Sequence, residues 1–129
     1  MQFDQNTHSL DFLEMDNTHK EFVDIYNSLE DTSPASYKNV MVKLFVHTKV
    51  HFRIEEENML EHNYPRKKEH MDEHKKVLAE MEYFIQKADT KMGAMFLKSY
   101  YKEKLPDWFN LHLVSMDSDL ASYLKNIDA

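Results

Sequence analysis

The sequence predicts an all-α fold, an up-down-up-down antiparallel four-helix bundle with a di-metal site in its core. Three observations predict the helices. Apolar residues recur at steps of three and four along most of the chain. The 129 residues include one Gly and three Pro, too few turn formers for a β-sandwich or barrel. The breakers that do occur divide the chain into four long stretches with short connections. This length suits one domain with a real core and is too short for two, so residues 1–129 read as a single domain.

Residues 1–9 are polar and are expected to form an extended lead-in. Over residues 10–29, Phe12, Met15, Phe22, Tyr26 and Leu29 make one stripe, and the gap between Met15 and Phe22 is filled by His19. Asp31, Thr32, Ser33 and Pro34 break this stretch, with Ser33 as N-cap and Pro34 in the first helical position of the next. That second helix is expected over residues 35–61. Its inward stripe of Tyr37, Val40, Met41, Leu44 and Thr48 continues through His51, Glu55 and Met59. Asn63, Tyr64 and Pro65 end it. A third helix, residues 65–88, buries Val77, Leu78, Met81 and Ile85, and the same stripe extended backwards meets His74 and His70. The last helix is expected over residues 94–125, after a short loop around Gly93. Pro106 interrupts it, and a proline inside a helix removes a backbone hydrogen bond and usually kinks the rod.

Composition excludes several classes of function. With no Cys there is no disulfide framework, thiolate zinc site, Cys-ligated cluster or thiol nucleophile. With 16 basic and 23 acidic residues, the net charge of −7 disfavours nucleic acid or an anionic membrane as partner. No apolar run approaches a membrane span and the first residues are no signal peptide, so a cytoplasmic location is expected.

The chemistry lies in the eight histidines. One histidine on an apolar stripe is ordinarily a hydrogen-bonded core residue. Here every helix carries one, and two helices also carry an inward carboxylate candidate. His51 and Glu55 are four apart, as are His70 and His74, so each pair can serve one centre. His112 and Asp117 are five apart, about 140° around an ideal helix, and need either two directions of approach or a local distortion such as Pro106 might introduce. Burying these groups unpaired would cost several kcal/mol each, and metal ions remove that conflict. Imidazole with carboxylate and no sulfur suits iron, zinc or manganese. No His has Glu three residues before it, which disfavours the ferritin-like arrangement, and the zinc-protease motif is absent. Five imidazoles, two bridging carboxylates and one bridging oxide or hydroxide would leave one position open on a six-coordinate metal pair.

These residues resemble the hemerythrin family, specifically its single-domain bacterial members. The matching stretches are Asp16-Asn17-Thr18-His19-Lys20, then His51-Phe52-Arg53-Ile54-Glu55-Glu56-Glu57-Asn58-Met59 and Tyr64-Pro65. His70 with His74, and Trp108 with His112 and Asp117, complete the order. The resemblance implies two iron ions, one held by His70, His74 and His112 and the other by His19 and His51. Glu55, Asp117 and an oxide or hydroxide would bridge them. It also implies an apolar lining from Phe22, Trp108, Phe109 and Leu113, and reversible dioxygen binding at the open position for storage, delivery or buffering. On that reading the chain is a binding protein and not an enzyme. A sensor, or an enzyme acting on peroxide or nitric oxide at the same centre, is the alternative. His47 stands where bacterial members often carry Tyr, and is open between an auxiliary group, a spare ligand, a pH-sensitive gate and an ordinary solvated or core histidine. His8 and His62 match no motif and are expected at the surface. Glu56 and Glu57 are expected on a solvated face, and Asp16 either orients His19 or is a first-turn charge.

Overall fold

The four stretches are helical for reasons that can be read at their ends. Ser33 caps α2 (Pro34–Glu61), its hydroxyl accepting from the Ser36 amide at 3.2 Å with Pro34 in the first turn. The helix stops where Asn63 turns to a φ of 53°, a left-handed conformation that asparagine tolerates. The Tyr64 amide then donates back to the Met59 carbonyl at 2.9 Å and the Asn63 amide to Leu60 at 3.4 Å. Thr90 caps the fourth helix through the Gly93 amide at 2.9 Å. The computed structural model describes residues 1–4, 8–10 and 12–127, and among these there are helices and no strands. Helix α1 is Leu13–Tyr26 and α3 is Lys67–Lys87. Helix α4 covers residues 91–127 as Lys91–Ser99, Leu105–His112 and Ser118–Ile127, joined by π-helical turns at Tyr100–Lys104 and Leu113–Asp117.

Helices α1 and α3 are shorter than the stripes suggest. Part of the lead-in expectation concerns Gln5, Asn6 and Thr7, which lie outside the described residues. Around them the lead-in is not simply extended: the His8 amide bonds the Asp4 carbonyl at 2.7 Å, and Phe3 packs on the bundle.

Contacts along the rods set their directions. Met15, early in α1, packs with Met59, Leu120 and Leu124, whereas Tyr26, at its end, stacks on Tyr101 at 4.1 Å. Likewise Lys38 at the start of α2 pairs with Asp89 just beyond α3 at 2.7 Å, while Glu56 meets His74 early in α3. Neighbouring helices therefore run antiparallel. The core divides into two apolar clusters. A larger one gathers around Phe22, Tyr37, Met41, Leu44, Met81, Leu105 and Phe109; a smaller one holds Met15, Met59, Tyr64, Leu120 and Leu124. Every polar residue of interest falls between them. No helix among the described residues is long and apolar enough to cross a membrane.

Pro106 distorts α4 without breaking it. In the π-helical turn before it, the Leu105 amide bonds the Tyr100 carbonyl five residues back. Pro106 has no amide to offer the Tyr101 carbonyl, so Tyr26 supplies the donor: its hydroxyl bonds that carbonyl at 2.8 Å. The Tyr101 hydroxyl returns a bond to the Tyr26 carbonyl at 2.5 Å.

Gly93 gives a test of the packing at the other end. A Cβ there would lie 1.6 Å from the Lys87 carbonyl oxygen, a backbone atom that cannot swing aside. Gly93→Ala should therefore destabilise the chain by about 1–3 kcal/mol, reversing the usual gain from alanine in a helix. Thermal unfolding of the two proteins measures it, and an unchanged or higher melting temperature contradicts the close approach.

Candidate metal centre

Between the two apolar clusters, all four helices turn ionisable side chains inward. His19 projects from α1 between Met15 and Phe22, and Glu55 from α2 between Phe52 and Met59. His70 and His74 come from the first turns of α3, and His112 and Asp117 from α4. All six are buried. One donor atom from each of Glu55, His70, His74, His112 and Asp117 lies within 4.8 Å of all the others. Asp117 joins the two sides of the site. Its Oδ1 is 3.1 Å from both His70 Nε2 and His112 Nε2, and its Oδ2 is 2.9 Å from His19 Nε2. Glu55 Oε1 faces His74 Nε2 at 3.2 Å and His70 Nε2 at 3.4 Å.

The five-residue spacing of His112 and Asp117 is resolved by the backbone. The second π-helical turn spans Leu113–Asp117, and the Ser118 amide bonds the Leu113 carbonyl five residues back. Widening the turn by one residue rotates Asp117 towards the face that already carries His112. The distortion expected near Pro106 is thus a separate one, about two turns upstream. Ser115 supports the wider turn, its hydroxyl donating to the Leu111 carbonyl at 2.5 Å.

The donors fit a metal better than they fit one another. Glu55 Oε1, His74 Nε2 and His112 Nε2 are buried without a properly directed hydrogen bond, a condition that costs about 1–3 kcal/mol per group. All three point into the cluster. The nitrogen–oxygen separations of 2.9–3.4 Å match donors about 2.1 Å from a shared cation at right angles, which sit about 3 Å apart. Nitrogen and carboxylate oxygen without sulfur are the donors iron, manganese and zinc accept.

The chain is 30% identical over 109 residues to a protein named Bacteriohemerythrin from Ralstonia nicotianae, the match covering 84% of this chain and 78% of that one. It belongs to the hemerythrin family. No family model matches the chain, and no solved structure does.

Within this chain, the remaining site residues are placed less uniformly. His51 stands apart from the five-residue cluster and is half-buried, its Nε2 3.8 Å from Glu21. It shares with His19, Glu55, His112 and Asp117 a cavity of about 30 Å³, room for about two water-sized spheres. Phe22, Trp108 and Phe109 also wall this cavity, as the resemblance implies. Leu113 does not; it lies in the larger apolar cluster. Phe52 and Thr48 take part instead. Phe52 also stacks on His74 with centroids 3.6 Å apart, and the Thr48 hydroxyl is buried without a partner.

Glu56 is not on a solvated face. Its carboxylate accepts from His74 Nδ1 at 2.9 Å, which fixes that ring's tautomer and presents Nε2 to the cluster. Its place beside Glu55 is the only sequence signal for this role. Glu57 is exposed as expected. Asp16 is buried but ties down the chain before α1, accepting from the Leu10 amide at 2.8 Å and the Ser9 hydroxyl at 3.0 Å. His8 is half-buried and bonds Asn110 at 2.7 Å, so it is no free surface residue. His62 caps the end of α2, its carbonyl accepting from Tyr123 at 2.7 Å. Trp108 stacks on His112 and donates to Glu73 at 3.0 Å.

The metal-free cluster is electrostatically self-neutralising. Burial pushes the Asp117 carboxyl up, but the His112, His19 and His70 rings outweigh it and hold it well below the usual carboxylate range. Glu55 is lowered too, burial and repulsion from Asp117 being outweighed by the close His70 and His74 rings. In return, His70 is raised to about 9 against its own burial, and His19 is raised as well. By contrast, burial and the neighbouring His47 push His51 down to about 4. The raised histidines lend the metal-free chain a stability that is complete below pH 6.5 and is lost as pH climbs through about 9. The melting temperature of chelator-treated protein should therefore fall between pH 6.5 and 9. A flat or rising curve contradicts the pairing.

Proposed function

We propose that this chain binds dioxygen reversibly at a non-haem di-iron centre, for oxygen storage, delivery or buffering. His70, His74 and His112 would hold one iron and His19 and His51 the other, with Glu55, Asp117 and an oxide or hydroxide between them. A bound iron pair supplies reversible electron transfer to dioxygen. The observation that carries the reading is the union of the buried donor set with a small, mostly aromatic cavity on the His19 and His51 side. The family membership adds to it.

The chain's own residues account for reversibility. Phe22 and Phe109, stacked with centroids 4.6 Å apart, together with Phe52 and Trp108 leave space for a diatomic molecule and little water. Apolar walls this close together limit how much water, and with it how many protons and anions, can reach a bound ligand. Thr48 offers the cavity one unpaired hydroxyl. Glu56 holds the His74 ring through Nδ1 and leaves Nε2 aimed at the cluster, so that ligand needs little rearrangement to meet a metal. The cavity touches His19, His51 and His112 but neither His70 nor His74.

Metal analysis after anaerobic loading, followed by spectra through cycles of oxygen and vacuum, tests the proposal. Two irons per chain and a band that returns with each cycle are expected. Zinc, a single iron, or irreversible oxidation on first exposure would sink oxygen carriage, and steady consumption of peroxide or nitric oxide with a reductant would make the chain an enzyme. His51→Ala should lose iron or oxygen binding and His62→Ala neither; full binding by both refutes the ligand assignment. Glu56→Ala should weaken metal binding by about 10–100-fold, read by competition with a chromophoric chelator; unaltered affinity would leave the His74 contact without a role.

A further inference from the structure

Beside the buried donors, three side chains converge on a second point. His47 and His51 are one turn apart on α2, their rings nearly perpendicular with centroids 4.2 Å apart. Glu21 faces them from α1, its Oε2 3.9 Å from His47 Nδ1 and 3.8 Å from His51 Nε2. These separations are too long for hydrogen bonds. They suit a shared ligand, since donors about 2.1 Å from a tetrahedral cation are about 3.4 Å apart, and the three donor atoms all lie within 4.8 Å of one another. Glu21 is exposed and can close the remaining gap.

We infer that Glu21, His47 and His51 form a separate, solvent-facing site for a divalent transition-metal ion, through which metal passes to the buried centre. The passage rests on the buried cluster being the metal centre proposed above. The tautomer of His47 is the first support. Its Nε2 lies 3.4 Å from the Thr18 carbonyl, which can only accept, so Nε2 carries the hydrogen and Nδ1 turns its lone pair towards Glu21. A ring held by one nitrogen through a backbone carbonyl, with the other free, is how proteins orient metal-binding histidines.

Position is the second support. His47 and His51 line the same cavity as His19, Glu55 and Asp117. A dication cannot cross the apolar clusters at either end of the centre without shedding its water unpaid. On the cavity side it can exchange water for Glu21 and the two imidazoles before meeting Glu55 and Asp117. His51 belongs to both groups, so it can carry the ion from one to the other by a change of side-chain angle. Three protein donors leave a tetrahedral ion at least one exchangeable position, as a transit site requires. Full enclosure, by contrast, suits the destination.

Stopped-flow mixing of the metal-free chain with Co²⁺ under argon tests this. Wild type should show a fast, concentration-dependent phase with the intense visible bands of a tetrahedral ion, then a slower phase as the buried donors fill. Glu21→Gln and His47→Gln should lose the fast phase and fill the buried donors roughly tenfold more slowly, ending at the wild-type metal content. Asp24→Asn removes the same charge from α1 and should load like wild type; equal slowing there would overturn the site in favour of general attraction. Unchanged rates in Glu21→Gln would overturn the entry role alone. A final content reduced in both variants would make these residues part of the buried centre and overturn the proposal. A wild-type fast phase with no later filling would overturn both the entry role and the oxygen-binding reading.

Discussion

The structure depends on one buried carboxylate. Asp117 is almost fully enclosed and lies within 3.1 Å of imidazole nitrogens from three helices, α1, α3 and its own α4. A carboxylate taken out of water and left alone would carry a penalty of several kcal/mol, so it compels positive or metal partners to gather around it. That requirement sets the spacing of the helices and the π-helical turn that brings Asp117 onto the face of His112. A straight α4 would aim one or the other away from the centre.

The two apolar clusters make this arrangement affordable. The ligand candidates lie between the two hydrophobic clusters, so the polar layer is flanked by apolar side chains along the bundle axis, with His51 and His47 half-buried at its side. The π-helical turns belong to the same economy. The first accommodates Pro106 and passes an orphaned carbonyl to Tyr26, which locks α1 to α4 on the side of the larger cluster; the second serves the site directly. Strain in α4 is thus met by side chains of other helices.

Much of this was legible in the residues. The stripes of three and four, Ser33 before Pro34, and the Asn63-Tyr64-Pro65 break located the helices to within a few residues, because caps and breakers act locally. The histidines and carboxylates on those stripes were legible as a group, since an ionisable residue at a core position demands an explanation. What failed to show was anything resting on a neighbour from another helix. Glu56 looks like one of three consecutive glutamates until α3 sets His74 against it. Asp16 sits near His19 in sequence yet spends its oxygens on Ser9 and Leu10. Leu113 has the composition of a cavity wall and packs in the larger apolar cluster.

By itself, then, the sequence determined the helical class, the order of the helices and which inward side chains could ligate, because periodicity and the cost of burying charge operate within a single helix. Only the tertiary structure decided how His112 and Asp117 reach one centre, which ring nitrogens are oriented, and that His51 faces both the buried donors and Glu21. Those are relations between helices, set by how the backbones pack and where one of them widens by a residue.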